Sequence, residues 1–89
     1  MGTYTIDRIR HKNGTVHERE LRRKGHRVNV VKLTLGSPMI LEYVDSGGYL
    51  MTTEVEAYTP PEYIRGALVV QTRNSVYTLR KEVPPHREG

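Results

Sequence analysis

The sequence predicts an all-β domain, a small and partly open barrel of about six antiparallel strands. Short runs of β-branched and aromatic residues are separated by turn signals such as Asn-Gly, Gly-Gly and Pro-Pro, spaced about ten residues apart. The chain has 89 residues, which is the length of one domain and favours a barrel over a two-sheet sandwich. We therefore expect one domain over residues 1–82 and a flexible polar tail over residues 83–89.

The first hairpin is predicted from a strand over residues 4–10 and from the Asn13-Gly14 pair, which two-residue turns prefer. The return segment, residues 16–24, has two interpretations. As a strand it would be exposed to solvent on one face, because only two of its nine residues are apolar. As a short helix it would end at Gly25, a residue suited to a C-terminal cap. The sequence leaves both interpretations open.

The longest strand signal runs from Arg27 to Leu35. Its apolar residues change face between Val30 and Val31, and a β-bulge or a sharp bend produces such a change. Tight barrels need bends of this kind. We therefore expect a bulge inside this strand, before the Gly-Ser-Pro break that follows it.

Two further hairpins complete the predicted barrel. In the first, a loop of about three residues lets Tyr43 face Met51 and gives the more apolar face. In the second, a two-residue turn pairs Leu68 with Leu79 and needs Asn74 in the left-handed backbone conformation. The predicted core consists of inward-facing residues from these strands: Ile6, Val28, Val30, Leu33, Leu35, Leu41, Tyr43, Met51, Val55, Leu68, Val70, Tyr77 and Leu79.

The charged residues are distributed unevenly along the chain, whose net charge is +4. Residues 1–32 hold nine basic and three acidic residues, residues 33–72 hold one basic and five acidic, and residues 73–89 hold four basic and two acidic. Two interpretations follow. The basic part could meet an anionic partner, or the acidic middle could fold against the basic part and neutralise it internally.

The sequence contains no pattern that indicates catalysis or metal binding. It has no cysteine, its serines stand at turns outside any Gly-x-Ser-x-Gly motif, and the solvated face of a strand explains Glu54 and Glu56. The four histidines lack the spacing of zinc ligands, and we expect His11 and His17 to lie close together on opposite faces of the first hairpin. We therefore predict that the protein is not an enzyme and uses no metal or other cofactor.

The sequence also bears on cellular location. No apolar run approaches the roughly 18–20 residues that a membrane span needs, so we expect no membrane partner. The chain starts directly on a strand-like pattern, which indicates no signal peptide. The lack of cysteine suits a reducing compartment, and we expect a cytoplasmic protein.

Three segments of the second half carry a resemblance: Gly36-Ser37-Pro38-Met39-Ile40-Leu41, Met51-Thr52-Thr53-Glu54-Val55 and Thr72-Arg73-Asn74-Ser75-Val76-Tyr77-Thr78-Leu79. They are a small-residue break with proline before an apolar strand, a Thr-rich strand ending near a valine, and a closing hairpin. In these features the chain from residue 36 onward resembles a recurring kind of short uncharacterised bacterial or prophage protein. The resemblance implies a compact β-barrel of the Src-homology type and assigns no function.

The basic N-terminal segment is the predicted functional surface. We expect a binding module, a phage or mobile-element accessory protein that docks on a protein partner through Arg and Tyr, which are enriched at binding hot spots. The alternative is a nucleic-acid-binding barrel whose basic side chains track phosphates. The sequence leaves the oligomeric state open. Charge reversal of Arg22 and Arg23 is expected to abolish binding and leave the fold intact. The predicted binding residues are Arg8, Arg10, Arg19, Arg22, Arg23, Lys24, Arg27, Tyr58 and Tyr63.

Overall fold

The computed structural model describes residues 3–61 and 66–81. They form an antiparallel barrel in which each strand pairs with the next along the chain and the last strand pairs with the first. The elements are β1 (Thr3–His11), α1 (Glu18–Arg23), β2 (Arg27–Lys32), β3 (Pro38–Tyr43), β4 (Tyr49–Thr59), β5 (Ala67–Thr72) and β6 (Ser75–Lys81). The predicted six-stranded all-β barrel is confirmed, and its closure goes beyond the partly open form predicted from the sequence.

Residues 18–23 form a helix, so the helical interpretation of residues 16–24 is correct and the strand interpretation is wrong. After β1 the chain turns with Gly14 at φ +90°, but the hairpin pairing stops at an isolated bridge. Gly25 follows the helix at φ +90°, the left-handed conformation that favours a glycine cap. The segment has too few apolar side chains to cover a strand face, whereas a helix lets a single side chain anchor it to the barrel.

The predicted bulge in β2 is confirmed, because its pairing with β3 slips between Val30 and Lys32. The strand ends at Lys32, earlier than predicted. Leu33 is partly buried against the core, whereas Leu35 is 61% exposed and makes an isolated bridge with Val55. The assignment of Leu35 to the core is therefore wrong, because the chain leaves the sheet after the bulge.

The predicted register of the β3–β4 hairpin is wrong. Leu41 lies opposite Leu50, because the hairpin turns over the four residues between Tyr43 and Gly48, whose backbones are hydrogen-bonded, rather than over three. The predicted pairing of Tyr43 with Met51 is shifted by an odd number of residues, and such a shift exchanges the two faces of a strand. Leu50 is therefore buried, while Met51 is 63% exposed and does not belong to the core.

The predicted register of the β5–β6 hairpin is confirmed, with Leu68 opposite Leu79. The turn itself differs from the prediction. No non-glycine residue in the described ranges has a positive φ, so Asn74 is not left-handed. Instead, Oγ1 of Thr72 accepts a hydrogen bond from the backbone N–H of Ser75 at 3.2 Å and donates one to its carbonyl at 3.2 Å. These side-chain bonds close the turn.

The core fills the barrel with aliphatic side chains and two tyrosines. Ile9 follows Ile6 by three residues, a spacing that simple alternation would place on opposite faces. A bulge in β1 between Ile6 and Arg8 brings both side chains inward. The sequence prediction misses four core members: Tyr4, Ile9, Met39 and Leu50. The buried core comprises Tyr4, Ile6, Ile9, Val28, Val30, Met39, Leu41, Leu50, Val55, Leu68, Val70, Tyr77 and Leu79.

Residues 83–89, the predicted tail, lie outside the described residues. Among the residues that are described, no helix is long and apolar enough to cross a membrane.

Candidate binding cleft

Helix α1 and the turn after it cover the edge of β1 that β2 leaves unpaired. The pairing between β2 and β1 spans residues 3–5 of β1. Beyond it, the N–H of Ile6 donates to the carbonyl of His26 at 2.9 Å, and the N–H of Gly25 donates to the carbonyl of Ile6 at 2.8 Å. Backbone groups of β1 thus find partners in the segment around α1, and these bonds hold the basic segment against the barrel.

Glu20 anchors α1 to β1. It is buried, and its Oε1 accepts hydrogen bonds from the backbone N–H of Ile9 and from Nε of Arg10, both at 3.0 Å. Burial acts to raise the pKa of Glu20, but the hydrogen bonds from Ile9 and Arg10 outweigh burial and hold the pKa below its ordinary value. The carboxylate therefore stays charged at neutral pH, and its bonds fix the position of the helix.

His17 caps the first turn of α1. Its Nδ1 accepts a hydrogen bond from the backbone N–H of Arg19 at 3.0 Å, and its ring stacks on that of His11 with centroids 4.5 Å apart. The prediction that these histidines lie on opposite faces of a hairpin is wrong, because the chain enters a helix instead of a second strand. Burial, followed by the charges of His11 and Arg19, lowers the pKa of His17 and favours the neutral ring that can accept the cap bond.

A cleft of about 240 Å³ lies between the α1–β2 segment and the β3–β4 loop. The two sides are joined by the backbone, because the N–H of Val44 donates to the carbonyl of Arg27 at 3.0 Å. Each side contributes polar or charged side chains. The lining consists of Arg23, His26, Arg27, Tyr43, Asp45 and Ser46.

Arg23 packs against Tyr43 in this cleft. Its Nη1 donates to the Tyr43 hydroxyl, and its guanidinium carbon is 5.6 Å from the centre of the Tyr43 ring, within the range of a cation–π contact. The His26 ring meets the same tyrosine edge-on, with centroids 5.6 Å apart. The Nε of Arg23 is shielded from solvent and has no hydrogen-bond acceptor in the described part of the chain. Buried donors without an acceptor are rare, so the unsatisfied Nε of Arg23 makes this cleft a candidate binding site.

Arg19 makes a second contact between α1 and a tyrosine of the barrel. The Tyr77 side chain is buried, and the Arg19 guanidinium lies close enough to its hydroxyl to influence its pKa. Burial raises the pKa of Tyr77, and the nearby guanidinium groups of Arg19 and Arg23 oppose this rise. Arg19 is therefore part of the packing of α1 as well as a predicted binding residue.

Four of the predicted binding residues form a basic cluster, which we define as Arg22, Arg23, Lys24 and Arg27. Two of them, Arg23 and Arg27, line the cleft. The other two, Arg22 and Lys24, are exposed, and their side chains make no hydrogen bond or ion pair with any described residue. The structure thus brings the C-terminal end of α1 and the start of β2 together as one positively charged surface.

Two other predicted binding residues have acidic neighbours. Nε of Arg8 lies 3.9 Å from a carboxylate oxygen of Asp7, and Nε of Arg10 lies 3.0 Å from one of Glu20. The Arg10 side chain is 32% exposed and takes part in anchoring α1. The basic surface predicted across the whole first hairpin is therefore interrupted on β1.

The predicted tyrosines are not part of the cleft. Tyr58 is 41% exposed but pairs with Val70 near the end of β4, whereas the cleft lies beside the loop that precedes β4. Tyr58 follows Tyr49 by nine residues, and at the usual rise of a strand this places them about 30 Å apart. Tyr63 lies outside the described residues.

The acidic middle of the chain neutralises part of the basic region. Nζ of Lys12 bonds to Oε1 of Glu56 at 2.6 Å, and this hydrogen bond lowers the pKa of Glu56. Oε2 of Glu54 lies 3.9 Å from Nη1 of Arg73. Internal neutralisation therefore applies to Lys12, whereas Asp45 is the acidic residue that faces the cluster in the cleft.

Sequence reasoning misses four residues of the cleft lining. Tyr43 is predicted as a core residue, and it does pack partly buried against the core, but its second role in the cleft is missed. His26 is read as an ordinary exposed histidine. One signal could have found the site. Because β2 and β3 are consecutive antiparallel strands, the start of β2 and the end of β3 meet at the same edge of the sheet. The missed residues are His26, Tyr43, Asp45 and Ser46.

Comparisons with protein-family models, curated proteins and solved structures find no match to this chain. Within residues 3–61 and 66–81, no group of three or more His, Cys, Asp or Glu side chains is arranged to hold a metal ion.

Proposed function

We propose that the chain is a non-enzymatic binding module that docks on a protein partner. The basic cluster and the cleft beside it form the docking surface, and an acidic surface of the partner faces them. The observation that carries the proposal is the cleft itself, where Arg23 and Arg27 converge with Tyr43. Arginine and tyrosine are the residue types that most often dominate the binding energy of protein interfaces.

The charge of the cluster supports an anionic partner. Arg22 and Lys24 are exposed and make no ion pair with a described residue, and Arg23 and Arg27 lie within the same segment. Neighbouring like charges disfavour the folded state, and an acidic surface relieves that repulsion on binding. Complementary charge also steers the encounter between the two proteins.

Two observations favour a protein over nucleic acid. A phosphate backbone needs a continuous track of basic side chains, and here Arg10 and Lys12 are bound to Glu20 and Glu56. In addition, the loop that contributes to the cleft carries exposed apolar groups, since Val44 in the loop is 38% exposed and Tyr49 next to it is 66% exposed. Exposed apolar and aromatic groups around arginines are typical of protein interfaces.

The resemblance of the second half to short bacterial or prophage proteins supports a narrower form of the proposal. In this form the chain is a phage or mobile-element accessory protein that acts on a host protein in the cytoplasm.

The experiment compares charge reversals at two sites. Because Arg23 packs against Tyr43, reversing it disturbs the fold, so the test variant is Arg22→Glu with Lys24→Glu. The matched control is Lys32→Glu with Lys81→Glu, which changes the net charge equally at two other exposed lysines. Immobilised wild-type chain is exposed to a nuclease-treated bacterial lysate, retained proteins are identified by mass spectrometry, and each is purified for direct affinity measurement with all three chains.

We expect a purified acidic partner whose affinity falls at least about tenfold with the test variant and less than about threefold with the control. Equal affinity for both variants places the docking surface elsewhere and contradicts the proposal. A parallel titration uses a fluorescent single-stranded DNA of about 20 nucleotides. Tight DNA binding with a steep salt dependence, together with no protein retained after nuclease treatment, establishes the nucleic-acid alternative instead.

A further inference from the structure

We infer that the cleft is a subsite for one carboxylate group of the partner, held by the edge of the Arg23 guanidinium that carries Nε and Nη2. The inference rests on the proposed function, because it assigns a chemical group to the partner that the docking surface meets. It adds the position and the geometry of a specific contact to the general attraction between opposite charges.

The hydrogen bonds of Arg23 define which edge is available. Nη1 donates to the Tyr43 hydroxyl. Nε has no acceptor, and Nη2 makes no hydrogen bond with a described residue. Nε and Nη2 form the side edge of the guanidinium, where two parallel N–H groups match the two oxygens of a carboxylate. The contact with Tyr43 fixes the plane of the guanidinium, so this edge is oriented before a ligand arrives.

The size of the cleft limits what can enter it. Pockets that enclose a drug-sized molecule occupy roughly 300–1,000 Å³, and this cleft has about 240 Å³. It therefore fits a single side chain or a chain terminus better than a nucleotide or another larger ligand. The half-buried Tyr43 ring offers an apolar wall for the methylene groups that precede a carboxylate.

The charges in the lining favour an anion. Arg23 and Arg27 attract an oxyanion, while the Asp45 carboxylate in the same lining repels it. Both the attraction and the repulsion double for a doubly charged phosphate, so charge alone does not choose between phosphate and a carboxylate. The carboxylate of a Glu or Asp side chain is favoured because it carries methylene groups that the Tyr43 ring can cover, which inorganic phosphate lacks.

Access to Nε requires a small movement. Because Nε is shielded from solvent, both N–H groups can be reached only after a neighbouring side chain shifts. Tyr43 is partly exposed and contacts both Arg23 and His26, so a carboxylate bound to Arg23 changes the surroundings of both rings. Binding should therefore be visible in the NMR signals of the His26 and Tyr43 rings.

The test is an NMR titration of the full chain with three probes: N-acetyl-glutamate N-methylamide, its uncharged glutamine analogue, and inorganic phosphate. We expect shifts at the amides and rings of the cleft with the glutamate probe, with a Kd on the order of millimolar for so small a ligand. The glutamine probe should bind at least about tenfold more weakly, because it cannot form charge-assisted bonds. Equal binding of glutamine, or tighter binding of phosphate than of glutamate, overturns the carboxylate assignment.

Substitutions distinguish binding by the two parallel N–H groups of Arg23 from general attraction to positive charge. Arg23→Met should abolish the cleft shifts, and Arg23→Lys, which keeps the charge but not the two parallel N–H groups, should weaken binding several-fold. The matched control is Arg22→Met, which removes the adjacent exposed charge and should change the Kd less than about threefold. Equal losses in Arg22→Met and Arg23→Met mean diffuse attraction and overturn the inference.

Failure of the carboxylate subsite can be distinguished from failure of the proposed docking function. If no probe binds in the cleft of the wild-type chain while a purified protein partner still depends on Arg22 and Lys24, the subsite is wrong and the docking function stands. If the glutamate probe binds but no protein partner depends on the cluster, the site exists and the docking function is wrong.

Discussion

The anchoring role of Glu20 predicts a large loss of stability when its carboxylate is removed. In Glu20→Ala the buried N–H of Ile9 loses its acceptor, and an unsatisfied buried donor costs about 1–3 kcal/mol. The ion pair with Arg10 adds less than about 1 kcal/mol, because the Arg10 side chain is 32% exposed. The free energy of unfolding should therefore fall by about 2–3 kcal/mol, a large part of the roughly 5–15 kcal/mol that stabilises a typical domain.

Urea denaturation followed by far-UV circular dichroism at pH 7 measures this change. The matched control is Glu18→Ala, which removes an exposed carboxylate from the same turn of α1 and should cost less than about 1 kcal/mol. Glu20→Gln keeps an oxygen that can accept from Ile9 and should lie between the two. A Glu20→Ala chain as stable as the control refutes the reasoning that this carboxylate holds α1 on the barrel.

The same anchor predicts how stability depends on acid. Hydrogen bonds hold the pKa of Glu20 below its ordinary value in the folded state. As the pH falls, the unfolded chain therefore takes up this proton first, and the stabilisation is lost progressively below about pH 5. Wild type should lose stability relative to Glu20→Gln between about pH 5 and pH 3. If the free energies of unfolding of the two chains change in parallel with pH, the lowered pKa of Glu20 is contradicted.

The remaining predictions concern the register, the last hairpin and the helix cap. Leu50→Ala should cost about 2–4 kcal/mol and Met51→Ala less than about 1 kcal/mol in urea denaturation, because Leu50 is buried and Met51 is 63% exposed; the reverse order would restore the register predicted from sequence. Leu68→Ala should also cost about 2–4 kcal/mol, and an unchanged thermal midpoint would mean that this side chain is not in the core. Because the pKa of His17 is lowered on folding, its stabilisation is present above about pH 6.5 and is lost as the pH falls from there through the lower pKa of the folded state. The stability advantage of wild type over His17→Asn, a cap that does not titrate, should therefore shrink as the pH falls below about 6.5, whereas a constant difference would show that the ring is not a neutral cap.

The fold class could be predicted because the sequence patterns that indicate it lie within single strands and turns. Alternating β-branched residues and turn dipeptides identify the strands, and the β5–β6 register follows from a short turn with little freedom. The bulge in β2 was likewise visible, since a phase change between Val30 and Val31 has few other causes. The bulge in β1 leaves an equally clear trace, the spacing of Ile6 and Ile9, and the sequence prediction overlooked it.

The cleft could be predicted only in part, because it depends on contacts between distant segments. The concentration of Arg22, Lys24 and Arg27 is visible in the sequence, but the residue that faces them is not. Placing Tyr43 beside Arg23 requires the pairing of β2 with β3, in which Tyr43 lies opposite Val28. The acceptor role of Glu20 is hidden for a related reason, since a glutamate in a charged run reads as solvated until the helix is known to lie against β1.

Site-specific photo-crosslinking tests the proposed docking surface most directly. A benzophenone amino acid is placed at Ser46, in the cleft lining, and in a second chain at Tyr58, near the far end of β4. After irradiation in the nuclease-treated lysate, we expect protease-sensitive adducts from Ser46 and none above background from Tyr58. Adducts from Tyr58 alone, or adducts from Ser46 in untreated lysate that nuclease digests, contradict a protein-docking surface at the cleft.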